Sequence, residues 1–185
     1  MAALSALDVA TELRKRLPGV GAKKLHKLLY YCQGHHLAAF GQPLFRETIS
    51  AWDMGPVVGQ LWNFERRGIA PTKPPTPLGE AEMNTIGYVL SRYGALTGTD
   101  LEHLTHSEDP WREADAKREP GTSARIDRGT MQAYFERAVS DEEDDMPLLD
   151  KATLTEFFAG VEERLVEPVE QDDIEELRTR LTGAA

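Results

Sequence analysis

The residues with chemistry to offer gather in two short stretches. Lys24-Leu-His-Lys-Leu-Leu-Tyr-Tyr-Cys-Gln-Gly-His-His-Leu-Ala-Ala-Phe40 carries the chain's one cysteine together with three histidines, two tyrosines and two lysines. A thiol beside an imidazole is the arrangement of a nucleophile and its base, so Cys32 with His35 or His36 is the first pair to weigh. In the second stretch His103 and His106 stand three residues apart, able to share a helix face, with Glu102 and Glu108 beside them; catalytic zinc commonly takes histidines and a carboxylate. His106-Ser-Glu108 also imitates the opening of a zinc deaminase signature, but the second half of that signature needs two thiols and the chain has one.

The elements that must hold these residues argue against both readings. From Ala22 to Phe40 the spacing predicts a helix, with Leu25, Leu28, Leu29, Cys32 and His36 on one stripe and Lys24, Lys27, Tyr31 and His35 turned elsewhere. On an apolar stripe a thiol behaves as a small hydrophobe and its thiolate is penalised. The stretch therefore reads as a core helix, closed by Gly41. Hydrogen-bonded surface or capping residues are the simpler reading of the second histidine pair. There is no Gly-x-Ser-x-Gly elbow, phosphate loop or dinucleotide fingerprint. The expectation is a protein that is not an enzyme and holds no metal or cofactor.

The remaining elements follow from caps and breakers. A helix is predicted over Leu4 to Leu17, stopped by Pro18-Gly19, with Arg14, Lys15 and Arg16 on its polar face. Pro43 to Asp53 reads as extended, a short edge strand. Gly55-Pro56 then supplies a turn and the first helical position of a helix to Arg67, whose apolar side is Val57, Leu61 and Phe64, with Trp62 partly outside it. After a proline-rich connector come a helix from Glu80 to Tyr93, a short helix to His106 capped by Thr99 with Glu102, and another opened by Asp109-Pro110-Trp111. Arg125-Ile126 is expected to pair with the earlier strand, and Asp127 to cap a helix through Val139 with Met131, Tyr134, Phe135 and Ala138 inward. Asp141 to Asp145 is a run of five acids, expected as a mobile hinge. The fold class is mainly α: a compact multi-helix domain over residues 1–140 with a small two-strand element, and a C-terminal helical extension over 141–185.

Charge distribution narrows the partners. The chain has 185 residues and a net charge of −10. Residues 1–80 carry ten Lys/Arg against six Asp/Glu, residues 81–140 seven against ten, and residues 141–185 four against fifteen. Binding of the whole chain to nucleic acid is disfavoured by that acidity, although Arg14, Lys15, Arg16, Lys23, Lys24 and Lys27 about a short helix junction resemble a helix-turn-helix. A basic protein partner fits better. No apolar run approaches the roughly 20 residues that span a bilayer, and one cysteine without a signal peptide fits a reducing cytoplasm.

Four blocks in order, Lys24 to Leu37, Gly41-Gln-Pro-Leu-Phe45, Ala51-Trp-Asp-Met-Gly-Pro-Val-Val58, and Leu104-Thr-His-Ser-Glu-Asp-Pro-Trp111 with Ala114, resemble the Panacea domain, the SocA-like or phage-associated GepA-like antitoxins. The resemblance covers roughly residues 5–140. It implies a mostly helical domain with a small strand element, the antitoxin half of a toxin-antitoxin pair, neutralising a cognate protein toxin by direct binding and bringing no catalytic residues. The family motif falls here on Leu28, Tyr30, Gln33, Trp52, Gly55, Pro56, Pro110 and Trp111. SocA itself presents its toxin to the ClpXP protease, so a proteolytic adaptor is the alternative, for which Ala184-Ala185 is a weak signal. A DNA-binding autoregulator built on the basic first helices is another. Candidate partner-binding residues are Trp62 and a face of the extension formed by Leu154, Phe157, Phe158, Val161 and Leu165, with its acids complementing a basic toxin; whether that face binds a toxin or completes the domain's own core stays open, as does a homodimer.

Overall fold

The computed structural model describes residues 4–68, 74–119 and 121–145. Leu154, Phe157, Phe158, Val161 and Leu165 lie outside the described residues, as do Ala184-Ala185. The first helix, α1 (Ala6–Arg16), begins where Ser5 and Asp8 close a reciprocal capping box. Its inner face is Ala6, Val9, Ala10 and Leu13. A short turn leads into α2 (Ala22–Phe40), which ends at Gly41 with a left-handed φ of 64°.

Around α2 the rest of the domain is built: it packs against α1, β2 (Gly55–Val57), α4 (Glu80–Tyr93) and α5 (Gly98–Ser107). Every residue from Leu25 to Leu37 is buried in consequence. This corrects the expectation that Lys27, Tyr31 and His35 face away from the core, because a helix enclosed on all sides has no wet face to give them. Gly34 makes one of these approaches possible, since a Cβ there would run into the ring of Phe135 on α7 (Arg128–Asp145).

The strands form one antiparallel sheet in the order β2-β1-β3, with β1 (Ser50–Trp52) between β2 and β3 (Ala124–Arg125). Ser50 faces Val57 on one side and Arg125 on the other. The expected edge strand is thus the central one, and the two-strand element has three strands. The third is Gly55–Val57, read from sequence as a turn and a helix start. Pro56 sits on the outer strand, where its missing N–H costs no ladder bond. Helix α3 (Gly59–Arg66) begins only after the β-branched pair Val57-Val58.

Three further boundaries differ from expectation. The cap of α5 is Thr97 with Asp100, one pair upstream of Thr99 and Glu102. Starting there buries Leu101 completely. Next, α6 (Asp109–Asp115) takes Glu108 as its N-cap position, with Asp109 and Pro110 already in the first turn. Lastly, α7 runs on to Asp145 through the five acids expected to be a hinge. Like-charge pairs a turn apart cost only a few tenths of a kcal/mol each, too little to stop a helix already nucleated. Met1–Glu143 forms one compact unit.

Candidate interaction groove

The two halves of α2 treat their polar side chains differently. In the C-terminal half nearly all are answered from within the chain. Tyr30 and Tyr31 donate their hydroxyls to the two oxygens of Glu108, at 2.7 and 2.9 Å. Glu108 is itself buried, and desolvation raises its carboxyl to about 7 against the lowering effect of the two tyrosine hydrogen bonds. Gln33 clasps Phe45 with both ends of its amide, donating to the carbonyl at 3.2 Å and accepting the N–H at 3.1 Å. His35 meets the Tyr93 hydroxyl at 3.2 Å, and His36 meets Thr85 at 2.9 Å. Burial holds His35 down to about 4.

These bonds leave the proposed nucleophile without a base. Both imidazoles have other partners, and Cys32 is wholly buried with its thiol pushed well above its ordinary value by desolvation. The second pair fares similarly: His106 lies flat on Trp111, ring centroids 3.9 Å apart, while His103 is exposed. Among the described residues no group of three or more His, Cys, Asp or Glu could hold a metal ion.

The N-terminal half of α2 lines a groove of about 760 Å³ with the β1–β2 turn, α3 and residues 121–123. Trp52 and Trp62 meet edge to face in its wall, centroids 5.1 Å apart, and the guanidinium of Arg66 lies over the Trp62 ring. Met54, 55% exposed at the turn, also lines it. The turn forces Gly55 to a φ of 96°, and a Cβ there would come within 2.7 Å of the Lys27 side chain, so the position needs glycine twice over.

Two lining residues are unlike their counterparts further along α2. Lys27 is 1% exposed, and its ammonium donates to the Pro56 carbonyl at 3.3 Å but has no carboxylate in ion-pair reach among the described residues. Burial pushes it down to about 8, with Glu102 acting the other way from a distance. His26 is 2% exposed and accepts the Val58 N–H on Nδ1, so the neutral ring carries its proton on Nε2, which has no partner. Desolvation, then the charges of Lys27 and Arg14, hold its pKa at about 4.

The other cations of the first two helices are engaged. Arg14 pairs with Glu65 and Lys23 with Glu102, both at 2.6 Å, Lys15 and Arg16 share Glu12, and Lys24 donates to the Gly94 carbonyl. The helix-turn-helix expectation needs these six side chains free for phosphates, and five are committed elsewhere while Lys27 is buried. Of the predicted partner-binding residues, Trp62 is half-buried in the groove wall. The motif residues Leu28, Tyr30, Gln33, Gly55, Pro56, Pro110 and Trp111 are buried, and Trp52 is half-buried beside Trp62. Sequence reasoning missed His26, turned Lys27 away from the apolar stripe and gave Glu108 only a place beside the second histidine pair, because a charged side chain carries no mark of the core position it will take.

Residues 25–112, from within α2 to within α6, match the family described as the antitoxin SocA-like, Panacea domain. That stretch is similar to a Panacea domain. No curated protein and no solved structure matches the chain. The matched stretch contains the sheet's first two strands, the Glu108 cluster and most of the groove, while α1 and α7 lie outside it and close the same core through Leu13 and Phe135. Among the described residues no helix is long and apolar enough to cross a membrane.

Proposed function

We propose that this chain is an antitoxin that neutralises a cognate protein toxin by binding it directly, catalysing no reaction of its own. The match of residues 25–112 to the antitoxin Panacea domain carries this reading. The polar chemistry of the domain supports it: the groups that looked reactive are spent on internal hydrogen bonds, as in a binding scaffold whose specificity lies in its surface. The regulator reading is weakened by the engaged cations of α1 and α2. Delivery of a toxin to a ClpXP-type protease rests on residues outside those described.

The test is co-expression with the protein encoded by the adjacent reading frame. That protein alone should arrest growth, and this chain should restore growth and co-purify with it. Restoration without a stable complex, or no restoration, overturns the reading. A stop codon after Asp145 isolates the contribution of the extension without cutting α7: if restoration is unchanged, the face at Leu154, Phe157, Phe158, Val161 and Leu165 is dispensable.

A further inference from the structure

The groove beside the N-terminal half of α2 holds two buried donors that the described chain answers poorly: one by a single long bond to a carbonyl, the other not at all. Arg14 and Lys23 each have a carboxylate at 2.6 Å, and the carboxylates nearest the groove are spoken for: Glu102 by Lys23, and Asp53 by Arg118. Lys27 has one carbonyl, at 3.3 Å, and the Nε2–H of His26 has nothing. A buried ammonium without a counter-charge is costly, and a buried N–H without an acceptor adds to the cost. A ligand that brings an anionic acceptor to this spot relieves both. Trp52, Trp62, Met54 and Val57 supply the apolar part of the wall, beside the polar Asp53, Thr122 and Ser123, and suit an apolar neighbour to that anion.

We propose that this groove seats a segment of the partner protein in which an acidic side chain stands next to an apolar one, the carboxylate resting on Lys27 and the His26 Nε2–H and the apolar group against Trp52 and Trp62. The inference rests on the antitoxin reading for the partner's identity as a toxin. A protein segment is favoured over a nucleic acid because one uncommitted cation suits one carboxylate, whereas a phosphate backbone is held by a row of them. Both donors are covered in the free domain, so the segment enters by a side-chain movement at the mouth, where Met54 is the exposed and unbranched wall residue.

The full-length chain is used as bait for a displayed library of random dodecapeptides, and selected peptides are resynthesised and titrated by tryptophan fluorescence. The expected binders share an Asp or Glu beside an apolar residue. Converting that acid to its amide weakens binding about tenfold or more, and so does Lys27→Met in the chain. Lys27→Met should keep a melting temperature no lower than the parent's, since it removes a buried charge; Trp62→Ala supplies a second variant that leaves α2 untouched and should weaken the same peptides. An empty selection, binders without an acid, or acidic binders indifferent to Lys27→Met and Trp62→Ala overturn the proposal. Neutralisation of the adjacent-frame protein separates the two ideas. If the parent chain and both variants neutralise with equal affinity, the groove proposal falls and the antitoxin reading stands; if the parent does not neutralise, the antitoxin reading falls while the peptide result still judges the groove.

Discussion

Along one helix, α2, two regions solve the problem of buried polarity in opposite ways. From Tyr30 to His36 each hydrogen-bonding side chain has a partner fixed by a distant element: Glu108 at the start of α6, Phe45 before the sheet, Thr85 and Tyr93 on α4. At His26 and Lys27, one to two turns earlier, donors just as deeply buried are left with one long bond to Pro56 and an empty Nε2. The first region ties the sequence to one fold. The second leaves hydrogen-bonding capacity unspent beside an open groove. Burial alone therefore does not distinguish the two regions of α2, whereas the completeness of their hydrogen bonding does.

The comparison breaks most visibly at Gly34. Gly34→Leu forces a side chain into the Phe135 ring and should cost about 3 kcal/mol or more in urea unfolding, part of it regained in the double variant with Phe135→Ala. Somewhat smaller is Glu108→Ala, which strands the hydroxyls of Tyr30 and Tyr31 and should cost about 2–3 kcal/mol. Its amide counterpart sharpens the point through pH. Because the folded carboxyl is raised from 4.5 to about 7, the folded state holds the proton more tightly, and Glu108's contribution is greatest below pH 4.5 and lost as pH rises through 7. The stability of the parent minus that of Glu108→Gln should fall by about 3 kcal/mol across that window. Taking the difference removes the opposite trend of His26 and His35, whose depressed pKa values cost stability as pH drops from 6.5 to about 4.

Gln33→Ala should come next, at about 2 kcal/mol, since it leaves the N–H of Phe45 unpaired and its carbonyl with only a 3.4 Å bond from Arg128. Smallest is Lys27→Met in the other region, which should leave the unfolding free energy unchanged or raise it by about 1 kcal/mol. A loss at Lys27 as large as that at Glu108 would show that the two regions of α2 are equally structural and would end the distinction between them.

Much of this fold is legible in the sequence where local rules suffice. The bounds of α2 and α4 follow from apolar spacing and the glycines that end them, and β3 lies within a residue of where it was expected. The miscalculated places are those where a distant element decides. Gly55-Pro56 has the composition of a turn, and only its pairing with β1 makes it a strand. Thr97 and Thr99 both begin a capping pattern, and the packing of Leu101 selects between them. The groove was the least legible feature. Trp62 was the one residue of it named in advance as a partner contact, since its walls come from four separate pieces of chain and its polar floor consists of residue types that ordinarily face water.

The enclosure of α2 also constrains how the chain reaches its folded state. A helix buried from Leu25 to Leu37 has no side that water will accept, yet α4 and α5, which cover it, begin 40 and 58 residues after its last residue, Phe40. During synthesis α2 must wait, sticky and half-dressed, until those coverings leave the ribosome. A small protein whose central helix is the first large apolar piece made and the last to be sheltered has a window in which proteases and chaperones compete for it, and the steady supply of the folded form is set as much by that interval as by the stability of the finished domain.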